Sequence, residues 1–281
     1  MSRGWAKILH GVNTTLTAPL SPRQKAKTLA RLGNHLLESG HKRITTKHGD
    51  LQLLAGLGAE IASAVQSFFS DEPETLYFID EHIQPGELFW DIGANIGLYS
   101  LYAAQRGIEV DAFEPSGINF GILIRHIFMN TLDAHINPYC IALSDYNGLG
   151  RLNMNSADAG HASNALNESR DQHKDFAPAY SQGTISITGD DFASRYDRWP
   201  DHIKLDVDGI EPLILKGMPN VLNKAKSVLV EIEGRNAAHD QDILTMLEQA
   251  GLSEHPLSFE GGKQRNRLFV RERAAIEMGD E

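Results

Sequence analysis

Glycines and carboxylates recur where short apolar runs end, and together these residue types could bind a ligand that contains a nucleoside. Residues 89–98 read FWDIGANIGL, in which Gly93 permits a tight turn and Gly97 lets a ligand approach the start of the next helix. Glu114 lies 21 residues after Gly93, at the end of the following apolar run. A carboxylate at that place can accept hydrogen bonds from both hydroxyls of a ribose.

The glycine loop departs from the dinucleotide-binding fingerprint. A GxGxxG motif that begins at Gly93 requires glycine at positions 95 and 98, where this sequence has Asn95 and Leu98. A nicotinamide-dependent oxidoreductase is therefore the less favoured alternative among enzymes.

A second group of carboxylates indicates proton transfer or metal binding. Asp206, Asp208 and Glu211 lie within six residues, where an apolar run gives way to a predicted helix. Three carboxylates so close together repel one another, which favours a proton-accepting role or a bound divalent cation. Other apolar runs also end in polar residues, namely Ser144 with Asp145 and Glu231 with Glu233.

The elements that must position these residues alternate between strands and helices from about residue 75 onward. The predicted strands are 88–92, 110–113, 138–143, 203–207, 227–232, 257–259 and 268–270, and the predicted helices are 98–105, 121–129, 212–222 and 240–249. This alternation predicts an α/β fold with a mostly parallel sheet, helices on both faces and an antiparallel hairpin at the C-terminus. The carboxyl ends of parallel strands meet at one edge, so the polar residues above should converge there.

The N-terminal part of the chain differs from the rest in charge. Residues 1–50 hold nine basic and two acidic residues, a net of +7, which leaves −18 for the remainder of a chain whose total is −11. Residues 22–39 have the spacing of an amphipathic helix, with Ser21 as the N-cap and Pro22 at the first helical position. Two interpretations stay open: the helix covers one edge of the main domain, or it docks on a membrane surface or an acidic partner.

Composition narrows the class of protein. A single cysteine excludes a disulfide framework, and the acidic excess argues against nucleic-acid binding. No apolar run approaches the roughly 18 residues of a membrane-spanning helix. The N-terminus lacks the apolar stretch of a secretory signal, so we expect a cytoplasmic protein.

Six segments, in order, resemble the FkbM family of S-adenosylmethionine-dependent methyltransferases. They are WDIGANIG (90–97), AFEP (112–115), ALSDYNG (142–148), TISITGDDF (184–192), IKLDVDGIEPLILKGM (203–218) and VLVEIEG (228–234). The resemblance implies the class I methyltransferase fold, which is Rossmann-like with a seven-stranded sheet. Together with the charge and composition of the chain, it predicts a basic N-terminal helical extension (1–74), a methyltransferase domain (75–272) with an irregular insertion (146–190) near the acceptor site, and a C-terminal tail (273–281).

The resemblance also implies roles for individual residues. The loop that holds the methionine part of S-adenosylmethionine would comprise Asp91, Gly93, Ala94, Asn95 and Gly97. Glu114 would hold the ribose, and Ser144 and Asp145 would lie near the adenine.

Methyl transfer to a hydroxyl group requires alignment of the reacting atoms and help with removal of the proton. Asp206 is the first candidate for that base, or for the ligand of an assisting divalent metal ion. Glu233, Glu231 and His161 follow it.

The resulting hypothesis is an O-methyltransferase for a hydroxyl on a sugar, glycan or secondary metabolite, with self-association through the N-terminal extension a further possibility. The alternative from another class is a non-catalytic module that binds S-adenosylmethionine or acts as a scaffold.

Overall fold

The computed structural model describes residues 17–161, 164–167, 178–207, 209–232, 236–257 and 265–272, together with a few single positions. Its helices are α1 (Pro22–Ser39), α2 (Ala59–Gln66), α3 (Pro73–His82), α4 (Leu98–Gln105), α5 (Gly117–Asn130), α6 (Gly189–Tyr196), α7 (Glu211–Lys216), α8 (Pro219–Lys224) and α9 (Ala237–Gln249). Its strands are β1 (His41–Thr46), β2 (Gly49–Leu54), β3 (Leu88–Ile92), β4 (Glu109–Phe113), β5 (Ile136–Tyr139), β6 (Ala142–Leu143), β7 (Gly148–Met154), β8 (Asn164–Leu166), β9 (Tyr180–Ile187), β10 (His202–Leu205), β11 (Ser227–Glu231), β12 (Ser253–His255) and β13 (Asn266–Val270). A short 3₁₀ turn, Ala55–Leu57, follows β2.

The central sheet of the described chain has seven strands in the order β12-β13-β11-β10-β3-β4-β5. Strands β11, β10, β3, β4 and β5 are parallel, whereas β13 is antiparallel to both β11 and β12. This is the class I methyltransferase topology with its antiparallel C-terminal hairpin, so the predicted fold class is confirmed. The strand order reverses between β3 and β10, which makes the carboxyl ends of these two strands the expected ligand site.

Apolar residues predominate in β3 and β11, whose two faces are covered by other layers. In β3, Phe89 faces a core formed with α3, α4 and α5, and Trp90 faces a second core formed with α6, α7, α8 and α9. Both side chains are fully buried. The alternation fixes which residues of each strand can reach the layer on either side.

The N-terminal part contains more than the predicted helix. Strands β1 and β2 form an antiparallel hairpin within residues 1–74, where the sequence predicts a helical extension. The hairpin forms because Ile44, Leu51 and Leu53 point towards α4 and α5, and all three are buried in the same core as Phe89. The hydrophobic core therefore continues across the predicted boundary at residue 74.

The segment predicted as an irregular insertion (146–190) contains three strands, β7, β8 and β9, which join β6 in a second sheet of the described chain, in the order β6-β9-β7-β8. The prediction of irregular structure is wrong for these strands because the sheet accommodates their polar residues: Asn153 and Ser186 are buried, and the Asn153 side chain accepts a hydrogen bond from the Ser181 hydroxyl. Leu152 and Met154 are buried, whereas Leu149 is largely exposed. The predicted strand 138–143 divides into β5 and β6, which belong to different sheets.

Two further observations concern the ends of the chain. The predicted tail at 273–281 lies outside the described residues. In the part of the chain that the structure describes, no helix combines the length and apolar character needed to cross a bilayer.

Candidate active site

A cavity of about 330 Å³ opens at the carboxyl ends of β3, β4 and β10. The sheet contributes Asp91, Glu114 and Asp206 to its lining, and the segment before α3 contributes Phe68 and Glu72. The cavity therefore lies at the point where the strand order reverses, as open α/β sheets require.

The loop between β3 and α4 passes unusually close to the end of β10. Gly93 has a φ of +85°, and a Cβ atom there would lie 1.8 Å from the carbonyl oxygen of Asp206. Gly97 has a φ of +86°, and its Cβ would lie 2.2 Å from Cδ1 of Leu123. Only glycine combines this backbone conformation with this proximity, so both predicted glycines are required by the fold of the loop.

Glu114 fixes the same loop from the neighbouring strand. Its Oε2 accepts a hydrogen bond from the backbone N–H of Asn95 (2.8 Å), and its Oε1 accepts one from that of Ser116 (2.7 Å). The side chain is buried, and both Ala94 and Asn95 line the cavity beside it. Glu114 itself also lines the cavity, and a carboxylate oxygen has two lone pairs with which to accept hydrogen bonds.

Asp91 presents a buried acceptor at the base of the loop. Its Oδ2 accepts a hydrogen bond from the Ser100 hydroxyl, whereas its Oδ1 has no hydrogen-bond partner among the described residues. Burial raises the pKa of this carboxyl, and the nearby Lys204 ammonium opposes that shift. A buried, unsatisfied oxygen is unfavourable until a donor reaches it, which makes Asp91 Oδ1 suited to an ammonium group of a ligand.

Asp206 and Lys204 form an ion pair in the cavity. The Lys204 Nζ donates to Asp206 Oδ2 at 2.7 Å. Burial raises the pKa of Asp206, but the Lys204 ammonium more than offsets this and holds it below the usual range. Asp206 is therefore a carboxylate at neutral pH, ready to accept a hydrogen bond from an alcohol.

Sequence analysis assigned no role to Lys204, although a signal was present. Residues 202, 204 and 206 are His, Lys and Asp, so every second position of a central strand is polar. A parallel strand covered on both faces is normally apolar throughout. This polar face indicates a site buried under the helical layer.

The other predicted acids have different surroundings. Glu231 is buried, forms an ion pair with Arg265 (2.9 Å) and contacts Asp206. Glu211 faces away from any catalytic position: its Oε1 accepts from the backbone of Val207 and Gly209, and its Oε2 contacts His239. The remaining two acids, Asp208 and Glu233, lie outside the described residues.

Ser144 and Asp145 lie just beyond the cavity, whose lining includes Leu143 from the same segment. Ser144 is buried, and its backbone N–H donates to Ile187. Asp145 forms an ion pair with Lys216 at 2.8 Å. Leu143 therefore lines the cavity, whereas Ser144 and Asp145 do not.

His161 lines the cavity and is held there through its backbone. Its carbonyl oxygen accepts a hydrogen bond from Nδ2 of Asn119, whose Oδ1 accepts from the N–H of Gly160. Asn95 also donates to the Gly160 carbonyl, at 3.4 Å. The loop between β3 and α4 and the His161 segment are therefore connected by hydrogen bonds.

The N-terminal part supplies a wall of the cavity that sequence analysis did not anticipate. Phe68 is buried and stacks on Tyr99, and Glu72 is buried, with burial raising the pKa of its carboxyl. No local motif marks these residues as part of a site. Only the packing of α2 and α3 against the sheet brings them there.

Within the described ranges, the structure holds no group of three or more His, Cys, Asp and Glu side chains arranged to bind a metal ion. The predicted divalent metal thus stays a prediction.

Comparison with known proteins agrees with this geometry. Residues 91–253, more than half of the chain, match the model of the "Methyltransferase FkbM domain" family. The chain is 26% identical over 183 residues to the hexuronic acid methyltransferase AglP of Haloferax volcanii, an alignment that covers 65% of this chain and 70% of the relative. It is 34% identical over 72 residues to the 31-O-demethyl-FK506 methyltransferase FkbM of Streptomyces tacrolimicus, which covers 25% of this chain and 27% of that protein.

Among solved structures, the chain is similar to the magnesium protoporphyrin IX methyltransferase of Synechocystis PCC 6803, with a TM-score of 0.46 and 14% identity over 76% of this chain and 82% of that one. It is also similar to an O-methyltransferase of Bacillus cereus, with a TM-score of 0.43 and 15% identity over 77% and 86%. On the match over residues 91–253, the chain belongs to the FkbM methyltransferase family.

Proposed function

We propose that the protein is an S-adenosylmethionine-dependent O-methyltransferase that acts on a hydroxyl group of a sugar, a glycan or a secondary metabolite. One observation carries the proposal: Asp91, which has an unsatisfied oxygen, the glycine loop fixed by Glu114, and Asp206 all line a single cavity. The first two features suit the amino-acid and ribose parts of the cofactor. The third suits an alcohol.

The described residues fit S-adenosylmethionine by the chemistry of their donors and acceptors. Asp91 Oδ1 would accept from the ammonium group, and Glu114 would accept from the ribose hydroxyls. The cavity contains several carboxylates, which favour a positively charged sulfonium. The apolar side chain of Leu143 offers a surface for the adenine ring.

The chain's own residues would align the acceptor and remove its proton. When bound, S-adenosylmethionine supplies a methyl group on a positively charged sulfur, which departs as a neutral thioether with the electron pair of the broken C–S bond. Asp206 would accept a hydrogen bond from the acceptor hydroxyl and so direct its oxygen. As the C–O bond forms, the hydroxyl proton becomes strongly acidic, so even a carboxylate of lowered pKa can accept it.

The acceptor class is supported by the relatives. One relative is described as a hexuronic acid methyltransferase and the other as a 31-O-demethyl-FK506 methyltransferase. Lys263 and Arg265 also line the cavity, each in an ion pair, with Asp71 (3.0 Å) and Glu231 (2.9 Å) respectively. We therefore propose hydroxylated sugars, with uronic acids first among them, as the acceptors to test.

The test combines cofactor binding with transfer of a labelled methyl group. The full-length protein is titrated with S-adenosylmethionine and then incubated with methyl-labelled cofactor and a panel of glucuronate, galacturonate and neutral hexose glycosides. Asp206→Asn should bind the cofactor and lose most of the transfer, whereas the exposed Asp133→Asn serves as the matched control. Cofactor binding without product on any acceptor or cell extract would favour the alternative, a non-catalytic binding module.

Two wider expectations remain predictions. They are self-association through the N-terminal part and a cytoplasmic location.

A further inference from the structure

The ammonium group of Lys204 lies in a place where a lysine is rarely found. Its side chain is 2% exposed in the middle of the central sheet. Removing a charged group from water costs several kcal/mol unless nearby opposite charges compensate. The surroundings of Lys204 should therefore explain why the residue is present.

Acidic side chains from several elements surround this ammonium. Asp206 contacts it at 2.7 Å, and Glu72 and Asp91 add their negative charges from the segment before α3 and from β3. The ring of Tyr99 on α4 lies 5.3 Å from Nζ, which adds a cation–π contact. These neighbours keep Lys204 charged, and they raise its pKa well above the usual range despite burial. A permanently charged ammonium cannot act as the proton acceptor.

The two members of the ion pair differ in access to the cavity. The Asp206 side chain is 25% exposed, whereas that of Lys204 is 2% exposed. Lys204 is thus the more deeply buried member of the pair, although it also contributes to the lining of the cavity. Other charged groups around Asp206 are Glu231 on β11 and Arg265 before β13, which form their own ion pair.

We propose that Lys204 is a positioning residue for methyl transfer: its buried ammonium holds the Asp206 carboxylate in the orientation that receives the acceptor hydroxyl. This inference rests on the proposed function, because it assigns Asp206 to the acceptor. It extends that function because the Lys204–Asp206 ion pair, and not Asp206 alone, is then required for methyl transfer. Lys204 also lines the cavity, but the role assigned to it here is exerted through Asp206.

A double-mutant cycle separates this role from simple structural support. Lys204→Ala and Asp206→Asn should each lower kcat by about 100-fold, the range for loss of proton-transfer assistance. The double variant should lose little more than either single variant, because residues that act as a unit give strongly non-additive losses. Lys204 also opposes the effect of burial on the pKa of Asp91, which is assigned to the cofactor ammonium, so affinity for S-adenosylmethionine is titrated for all three proteins and kcat is compared at saturating cofactor.

Chemical rescue gives a readout that a structural role would not move. Propylammonium has the size and charge of the group that Lys204→Ala removes. Its addition should therefore raise the kcat of Lys204→Ala by at least about tenfold. The neutral 1-propanol at the same concentration should restore nothing. The matched control is Arg198→Met. It breaks a different ion pair, the one between Arg198 and the fully buried Asp111 of β4. This control should melt at a lower temperature while turnover of the folded fraction is unchanged.

The outcomes discriminate between the two claims. A kcat of Lys204→Ala within about threefold of wild type, losses that multiply in the double variant, or equal rescue by propanol would each overturn the role of Lys204. Absence of cofactor binding and of methyl transfer in the wild-type protein would instead overturn the proposed function, and this inference with it. If Lys204→Ala does not fold, Lys204→Gln, which retains a donor group, is compared with Asp206→Asn in the same cycle.

Discussion

Gly93→Ala is the substitution whose effect follows most directly from the geometry. The new Cβ would lie 1.8 Å from the Asp206 carbonyl oxygen, whereas carbon–oxygen contacts in proteins lie at about 3.3 Å or more. The loop or the end of β10 would therefore have to move by about 1.5 Å. Both elements line the cavity, so the movement should disturb cofactor binding as well as stability.

The structure offers a matched control in Gly86, whose φ is also +85°. No heavy atom of the described residues lies within 4 Å of a Cβ built at Gly86. Alanine at either position should lose about 1–2 kcal/mol for the left-handed backbone conformation. Only Gly93→Ala adds overpacking, about 1–3 kcal/mol more.

These energies predict measurable differences in melting temperature. At about 2 °C per kcal/mol for a chain of this size, Gly86→Ala should lower Tm by about 2–4 °C and Gly93→Ala by about 4–10 °C. Gly93→Ala should also weaken S-adenosylmethionine binding by about tenfold or more, because an ångström of displacement in a site has large effects. Thermal unfolding and calorimetric titration measure the two effects. Equal Tm values for the two variants, with cofactor affinity retained in both, would refute the close approach of the loop to β10.

Three other substitutions test separate parts of the structure. Glu114→Gln replaces a carboxylate that accepts hydrogen bonds from two backbone N–H groups. Calorimetry should show that cofactor affinity falls by about 10- to 100-fold, the equivalent of about 1.5–3 kcal/mol. Unchanged affinity would argue against a role of Glu114 in cofactor binding. The hydrogen bond with Glu211 raises the pKa of His239 above its usual 6.5. Wild type should therefore be more stable than His239→Gln by the full amount below pH 6.5. This difference in stability should vanish as the pH rises through the folded-state pKa of His239. Denaturant unfolding at several pH values measures it, and an advantage that grows with pH would contradict this assignment. Leu53, on the hairpin, is fully buried, so Leu53→Ala should destabilise by about 2–5 kcal/mol, whereas Leu149→Ala at an exposed position should change stability by less than about 0.5 kcal/mol. Similar losses in chemical unfolding would mean that the hairpin is not part of the core.

The central part of the fold and the conformation of the glycine loop could be predicted because their signals are local. A run such as LFWDI followed by GANIG encodes a buried strand, a tight turn and a helix start within a dozen residues. The carboxylate of Glu114 follows the next strand at a fixed distance along the chain. Neighbouring parallel strands then bring Gly93 and Glu114 together without further information.

The remaining parts depend on contacts between distant segments. The sequences of β7 and β9 contain many polar residues and therefore do not look like strands. Both segments form strands within a sheet in which Leu152 and Met154 of β7 are buried. Phe68 and Glu72 reach the cavity because α2 and α3 pack against the sheet, which no spacing within residues 59–82 reveals. Lys204 reads as an ordinary lysine until its strand is known to be covered on both faces.

The central claim is that the cavity at the ends of β3, β4 and β10 binds S-adenosylmethionine through the β3 loop. Calorimetric titration of the full-length protein, with Asp91→Asn beside wild type, tests it most directly. We expect one cofactor per chain for wild type, and an affinity about tenfold lower or worse for the variant, because its amide presents one acceptor fewer to the ligand ammonium. Folded wild-type protein that shows no binding at about 1 mM cofactor, or equal affinities for the two proteins, would contradict the claim.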